Sequence, residues 1–80
     1  MKIPRDISGF ELAKALETFG YKISRQKGSH MRLTTQRNGV HHITIPNHKP
    51  LKIGTLSAIL KDISKHLEIN KEEIINNLFT

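Results

Sequence analysis

In three short segments between Tyr21 and Ile45, apolar side chains recur at every second position. That alternation most constrains what the chain can fold into. Tyr21 and Ile23 alternate with Lys22 and Ser24. Met31 and Leu33 alternate with His30, Arg32 and Thr34, and Ile43 and Ile45 with His42 and Thr44. Successive side chains of a strand point to opposite faces of a sheet, so each segment is apolar on one side only. Three in succession read as an antiparallel meander, strands 21–25, 29–36 and 40–46, with one buried face and one open face.

Helical patterns flank the meander. Ser8-Gly9-Phe10-Glu11 reads as a capping box, with Ser8 at the N-cap and Glu11 three residues on; Ile7 and Leu12 are spaced for a hydrophobic staple. Leu12, Ala13, Leu16 and Phe19 make one apolar stripe, and Gly20 is a natural stop, so a helix is expected over 9–19. After Pro46 comes a basic loop, Asn47 to Lys52, kept out of regular structure by its prolines. Thr55 is expected to cap a second helix over 55–67, with Leu56, Ile59, Leu60, Ile63 and Leu67 inward. Asn70 opens a last helix over 71–79. Glu73 completes a second box, Ile69 and Ile74 form a staple, and Ile75, Leu78 and Phe79 dock the helix. An apolar sheet face must be covered, and the helices supply the cover. The expectation is one α+β domain over residues 1–80, a three-stranded antiparallel sheet with helices on one face.

The turns follow from the same face rule, since paired residues of an antiparallel ladder share a side. A two-residue Asn38-Gly39 turn would set Leu33 opposite Thr44 and mix the faces. A three-residue loop, Arg37-Asn38-Gly39, pairs Leu33 with Ile43 instead. The same reasoning at the first turn selects Gln26-Lys27-Gly28 as the loop, with Ile23 opposite Met31 and Ser24 opposite His30.

The alternation leaves Lys22, Ser24, His30, Arg32, Thr34, His42 and Thr44 on the open face, without a carboxylate. Charge sharpens this. The net charge is +6, and residues 20–54 hold seven lysines and arginines and no acidic residue, whereas residues 55–80 are near neutral. A basic centre of this kind suits a polyanion. There is no cysteine, which removes disulfide, thiol-nucleophile and thiolate-zinc chemistry. No stretch resembles a signal peptide or a membrane span, so the default expectation is a cytoplasmic protein without membrane association.

The open face begins at Lys27-Gly28-Ser29-His30. Gly-Ser-His-Met also occurs as the scar of a cleaved purification tag, but here a capped amphipathic helix precedes it and no histidine tract does, so it reads as native. Three readings of His30 stand side by side: a polar strand residue facing water, a metal ligand, or an acid–base catalyst on a phosphodiester. Five histidines invite the metal reading, but no pair has helical zinc-motif spacing and the surroundings are cationic. The catalytic reading has a physical case. Imidazole gives and takes protons near neutrality, and RNA carries its own nucleophile in the 2′-hydroxyl, so its cleavage requires no metal. Arg32, Lys22 and Lys27 could stabilise phosphate charge, and backbone N–H groups around Gly28 and Ser29 could help hold it. Arg37 and Lys49 belong to the same acid-free stretch and join the candidate RNA contacts.

At KGSHMRL, residues 27–33, the chain resembles the HicA family, mRNA-cleaving toxins of type II HicA–HicB toxin–antitoxin modules. ITIPNHKPLKIGTLSAILKDI is similar to that family's strand, Pro-x-His loop and Gly-Thr-Leu helix start, and LAKALETFGYKISRQKGSH fits its opening. Together these cover most of residues 8–63. The resemblance implies an α-β-β-β-α fold like that of double-stranded-RNA-binding domains. It implies ribosome-independent cleavage of mRNA and neutralisation by a HicB-type antitoxin, and with the acid–base argument above the expectation is a metal-independent endoribonuclease that needs no cofactor. The histidine of Gly-Ser-His, here His30, is then catalytic. His48 matches the histidine of the Pro-x-His loop, where it would bind phosphate or order the loop. The link from Ser64 to Ile69 is longer than in many members. Tyr21 and the three phenylalanines are all expected to be buried, so no aromatic platform is offered and substrate choice should be loose. Two other classes fit the charge pattern: an RNA- or DNA-binding module without turnover, and a subunit whose basic face docks an acidic protein.

Overall fold

The architecture of the computed structural model follows from where its apolar residues fall. Residues 6–79 are described; the ends of the expected domain, 1–5 and 80, lie outside them. Helix α1 (Gly9–Ala15) runs into a 3-10 turn (Leu16–Phe19), followed by strands β1 (Lys22–Lys27), β2 (His30–Thr35) and β3 (His41–Pro46) and helices α2 (Ile53–Leu67) and α3 (Lys71–Phe79). The fold is α+β in the order α-β-β-β-α-α, with one antiparallel sheet ordered β1-β2-β3.

The capping box opens α1. Ser8 Oγ accepts from the Glu11 N–H at 3.0 Å, and Glu11 Oε1 accepts from the Ser8 N–H at 2.8 Å. The last expected helical turn tightens to 3-10 and ends at Gly20 with φ 83°. α2 starts two residues before Thr55: its N-cap is Lys52, without a side-chain cap bond. Leu51 explains the shift. Leu51 is buried, and its N–H donates to the Ile7 carbonyl at 2.8 Å. That anchor fixes the chain early, so the helix begins directly after it. Asn70 Oδ1 accepts from the Glu73 N–H at 2.7 Å at the head of α3, and α3 packs on α2 and on the 3-10 turn.

Met31, Leu33, Ile43 and Ile45 point from the sheet into a core with Leu12, Leu16, Leu56, Leu60, Ile63 and Ile74. Each such side chain contributes roughly 1.5–3 kcal/mol by burial, against about 1 kcal/mol for a typical hydrogen bond. The helix side of the sheet therefore holds the fold, and the other side is available for other work.

The second hairpin has the expected register: Leu33 pairs with Ile43 and Arg32 with Thr44. The first does not. Lys27 pairs with His30, Gln26 with Met31, Arg25 with Arg32 and Ile23 with Leu33. The loop is thus Gly28-Ser29, not Gln26-Lys27-Gly28. Gly28 has φ 59° and Ser29 has no positive φ, which is the two-residue arrangement that takes glycine first. In an unbroken ladder this turn would place Ser24 opposite Leu33 and invert the faces. A bulge between Ile23 and Arg25 absorbs one residue and restores them. Ile23 keeps its expected side but is 41 % exposed, because β1 lies at the edge of the sheet.

Candidate nucleic-acid interface

β2 is the spine of the open face. His30, Arg32 and Thr34 stand on it at every second residue, so their rows are about 6.6 Å apart. His30 lies between Lys27 of β1 and Pro46 of β3, Arg32 between Arg25 and Thr44, and Thr34 between Lys22 and His42. Apart from the partly buried Thr34 and Pro46, these residues are exposed. Lys22, Arg25, Lys27 and Arg32 give the face four cations, and no acidic residue occurs between Gly20 and Gly54.

The shorter turn changes the neighbourhood of His30. Lys27 belongs to β1 rather than to a loop and sits directly across from the imidazole. Directly opposed residues have Cβ atoms about 5 Å apart. Arg25, which simple alternation assigns to the helix side, is moved to the open face by the bulge, opposite Arg32. Sequence reasoning missed this residue. Gly28-Ser29 is itself a two-residue turn signal, and accepting it forces a bulge, because otherwise Ile23 would face outward.

The turn that carries His30 is fastened from below. The Asn47 N–H donates to the Ser29 carbonyl at 2.6 Å, and Asn47 Oδ1 accepts from the Phe10 N–H at 3.2 Å. The Gly9 N–H donates to the His48 carbonyl at 3.0 Å. A Cβ on Gly9 would collide with the Pro46 carbonyl oxygen and the Asn47 Cα, so only glycine lets α1 approach this loop. His48 is exposed in a loop thereby held against the Gly28-Ser29 turn. Phe10, expected to be buried, is 50 % exposed, because it falls outside the α1 stripe of Leu12, Ala13 and Leu16 that enters the core.

Two expected contacts fall elsewhere. Lys49 lines a cavity of about 330 Å³ with Asp6, Ile7, Glu11, Leu78 and Phe79. It helps hold the Glu11 carboxyl below its ordinary range, after the larger effects of the Ser8 N–H and the Ser8 side chain. Arg37 lies in the β2–β3 loop with its guanidinium 5.6 Å from the Phe19 ring centre. The whole length of β2, about 16 Å, separates that end of the sheet from His30.

Around Arg37 the helix side is knitted together by other histidines. His66 Nε2 lies 3.0 Å from the carbonyl oxygens of both Arg37 and Gly39. Both are acceptors, so Nε2 carries the proton. The His66 ring stacks on His41 at 4.2 Å. His41 Nδ1 is 2.7 Å from Tyr21 Oη, and its Nε2 is 3.4 Å from Asp62. Burial, helped by the negative charge of Asp62, pushes the Tyr21 phenol up to about 12. The Asp62 carboxylate only accepts, so in the neutral ring Nε2 carries the proton and Nδ1 accepts from the Tyr21 hydroxyl. These imidazoles are structural.

The comparison with protein families fits this geometry. A family model described as the HicA toxin of bacterial toxin–antitoxin systems matches residues 9–64. The chain belongs to the HicA toxin family. No individual curated protein and no solved structure matches significantly. The HicA match runs from the first residue of α1 through the sheet and most of α2, so it contains the open face, the Gly28-Ser29 turn and the loop beneath it. α3 lies beyond it. Among the described residues no helix is long and apolar enough to cross a membrane.

Proposed function

We propose that this HicA-family chain is an endoribonuclease that cleaves mRNA without a metal, with His30 as its acid–base residue. The observation that carries the reading is the position of His30: exposed, on a face without carboxylates, directly opposite Lys27 and one row from the Arg25–Arg32 pair. His30 takes the proton of a ribose 2′-hydroxyl. The 2′-oxygen attacks the adjacent phosphorus and the bond to the 5′-oxygen breaks, leaving a 2′,3′-cyclic phosphate, while the departing 5′-oxygen takes a proton from solvent. Negative charge grows on the non-bridging oxygens, and Lys27, Arg32 and the amides of the Gly28-Ser29 turn, the neighbours of His30 across and along the ladder, would stabilise it. Lys22 and Arg25 hold flanking phosphates, and His48 contributes from the loop under the turn. Arg37 and Lys49 are left outside this set. A HicB-type antitoxin would silence the chain by covering the same face.

The test is incubation of purified protein with labelled RNA in the presence of a chelator. Shortened products are expected, and His30→Ala is expected to abolish both cleavage and growth arrest on induction while leaving the circular dichroism spectrum and melting temperature near wild type. A wild-type protein that retards RNA without shortening it is a binding module. A His30→Ala protein that still cleaves moves the chemistry to another residue. If neither RNA nor DNA binds at low salt, the face serves a protein.

A further inference from the structure

A second imidazole on the open face is oriented by a hydrogen-bond chain. Ser24 Oγ lies 3.2 Å from the Arg32 carbonyl oxygen and 2.7 Å from Thr34 Oγ1, and Thr34 Oγ1 lies 2.8 Å from His42 Nδ1. Only one arrangement of protons makes all three contacts hydrogen bonds. A carbonyl oxygen only accepts, so Ser24 donates to Arg32. With its single proton used, Ser24 must accept from Thr34. Thr34, its proton used in turn, must accept from His42. Nδ1 of His42 therefore carries a proton, and in the neutral ring Nε2 is left as an acceptor.

That acceptor is at the wrong place to share the phosphodiester assigned to His30. His42 is opposite Thr34, four residues along β2 from His30, about 13 Å away. A group that moves a proton must come within about 3 Å of it. One row of the face, Arg25–Arg32–Thr44, lies between, and it is cationic on both β1 and β2. Beside the chain, at the β1 edge, Gly20, Lys22, Ile23, Ser24, Thr34 and Gln36 line a cleft of about 430 Å³. A strand laid along β2 from His30 passes Arg25 and Arg32 and arrives with a nucleotide at Lys22, this cleft and His42.

We propose that Ser24, Thr34 and His42 form a ribose-reading subsite, in which His42 Nε2 accepts a hydrogen bond from the 2′-hydroxyl of a nucleotide about two positions from the one cleaved. The proposal rests on RNA being the ligand of this face, as in the function proposed above, but not on cleavage. Lys22 holds that nucleotide's phosphate, and the fixed tautomer supplies RNA-over-DNA preference, because deoxyribose has no proton to give.

The test measures binding in a His30→Ala background, where no cleavage intervenes. Affinities for an all-RNA and an all-DNA oligonucleotide of one sequence are compared with and without His42→Ala. Loss of His42 is expected to reduce the RNA preference roughly fivefold, the worth of about one hydrogen bond, with DNA affinity little changed. Thr34→Val, which leaves the imidazole in place but removes its orienting partner, is expected to lose part of the same preference. Equal losses for RNA and DNA, no change in either, or no binding of nucleic acid at all would each overturn the subsite. A protein that cleaves RNA yet shows an unchanged preference sinks this inference alone. A protein that shows the changed preference but never cleaves sinks only the catalytic assignment.

Discussion

Tyr21 illustrates how a residue that looks like a simple strand position acquires a polar role. The alternation marks it as inward, and it is fully buried. Its hydroxyl then needs a partner, which His41 supplies. Tyr21→Phe is expected to destabilise the fold by about 1 kcal/mol, read from denaturant midpoints at neutral pH. The pH dependence follows from the raised value. The folded state favours the protonated phenol, so this residue costs no stability below its ordinary value of 10. Stability falls as pH rises from there through about 12, because the unfolded chain loses the proton first. Unfolding midpoints at successive alkaline pH values are expected to drop more steeply for wild type than for Tyr21→Phe.

At the scale of elements, α1 and the loop after β3 act together. The Ser8–Glu11 box caps α1, and the lowered Glu11 carboxyl gives it a pH signature. The folded state favours the carboxylate, so the contribution is present above the ordinary carboxyl range and lost as pH falls through the depressed value. Glu11→Gln is expected to flatten the acid limb of a stability-versus-pH curve without altering the alkaline limb. Gly9 couples the same helix to the site. Gly9→Ala must displace the Pro46 and Asn47 backbone, at a cost of about 1–3 kcal/mol. Because Asn47 holds the Ser29 carbonyl, the His30 turn should move with it. A cleavage rate lowered more than the melting temperature alone explains is the expected result, measured where the variant is still folded. Equal activity at equal folded fraction would show that the loop does not position the turn.

For the whole molecule the governing fact is separation of labour between two sheet faces. One buries the core, and the other carries Lys22, Arg25, Lys27 and Arg32. Single-stranded nucleic acid releases about 0.7 counterion per phosphate neutralised. If all four cations engage, log affinity should fall with log salt at a slope of about −3. Substituting Arg25 should reduce that slope, whereas substituting Arg37, at the far end of the sheet, should leave it unchanged. A titration of RNA binding over a range of salt concentrations measures both.

Local patterns determined much of this protein. Period-two alternation marked the sheet and its open face, the spacing around Ser8 and Gly20 marked the first helix, and the acid-free stretch marked where a polyanion would bind. These are legible because each depends on neighbours a few residues apart. The choice of the two-residue first turn over the three-residue one, with the bulge at Ser24 and the turn of Arg25 toward Arg32 that it forces, the approach of α1 that requires Gly9, and the chain linking Ser24 to His42 were decided only in three dimensions. Each depends on which segment lies across from which, and strand pairing joins residues whose separation along the chain carries no periodic trace.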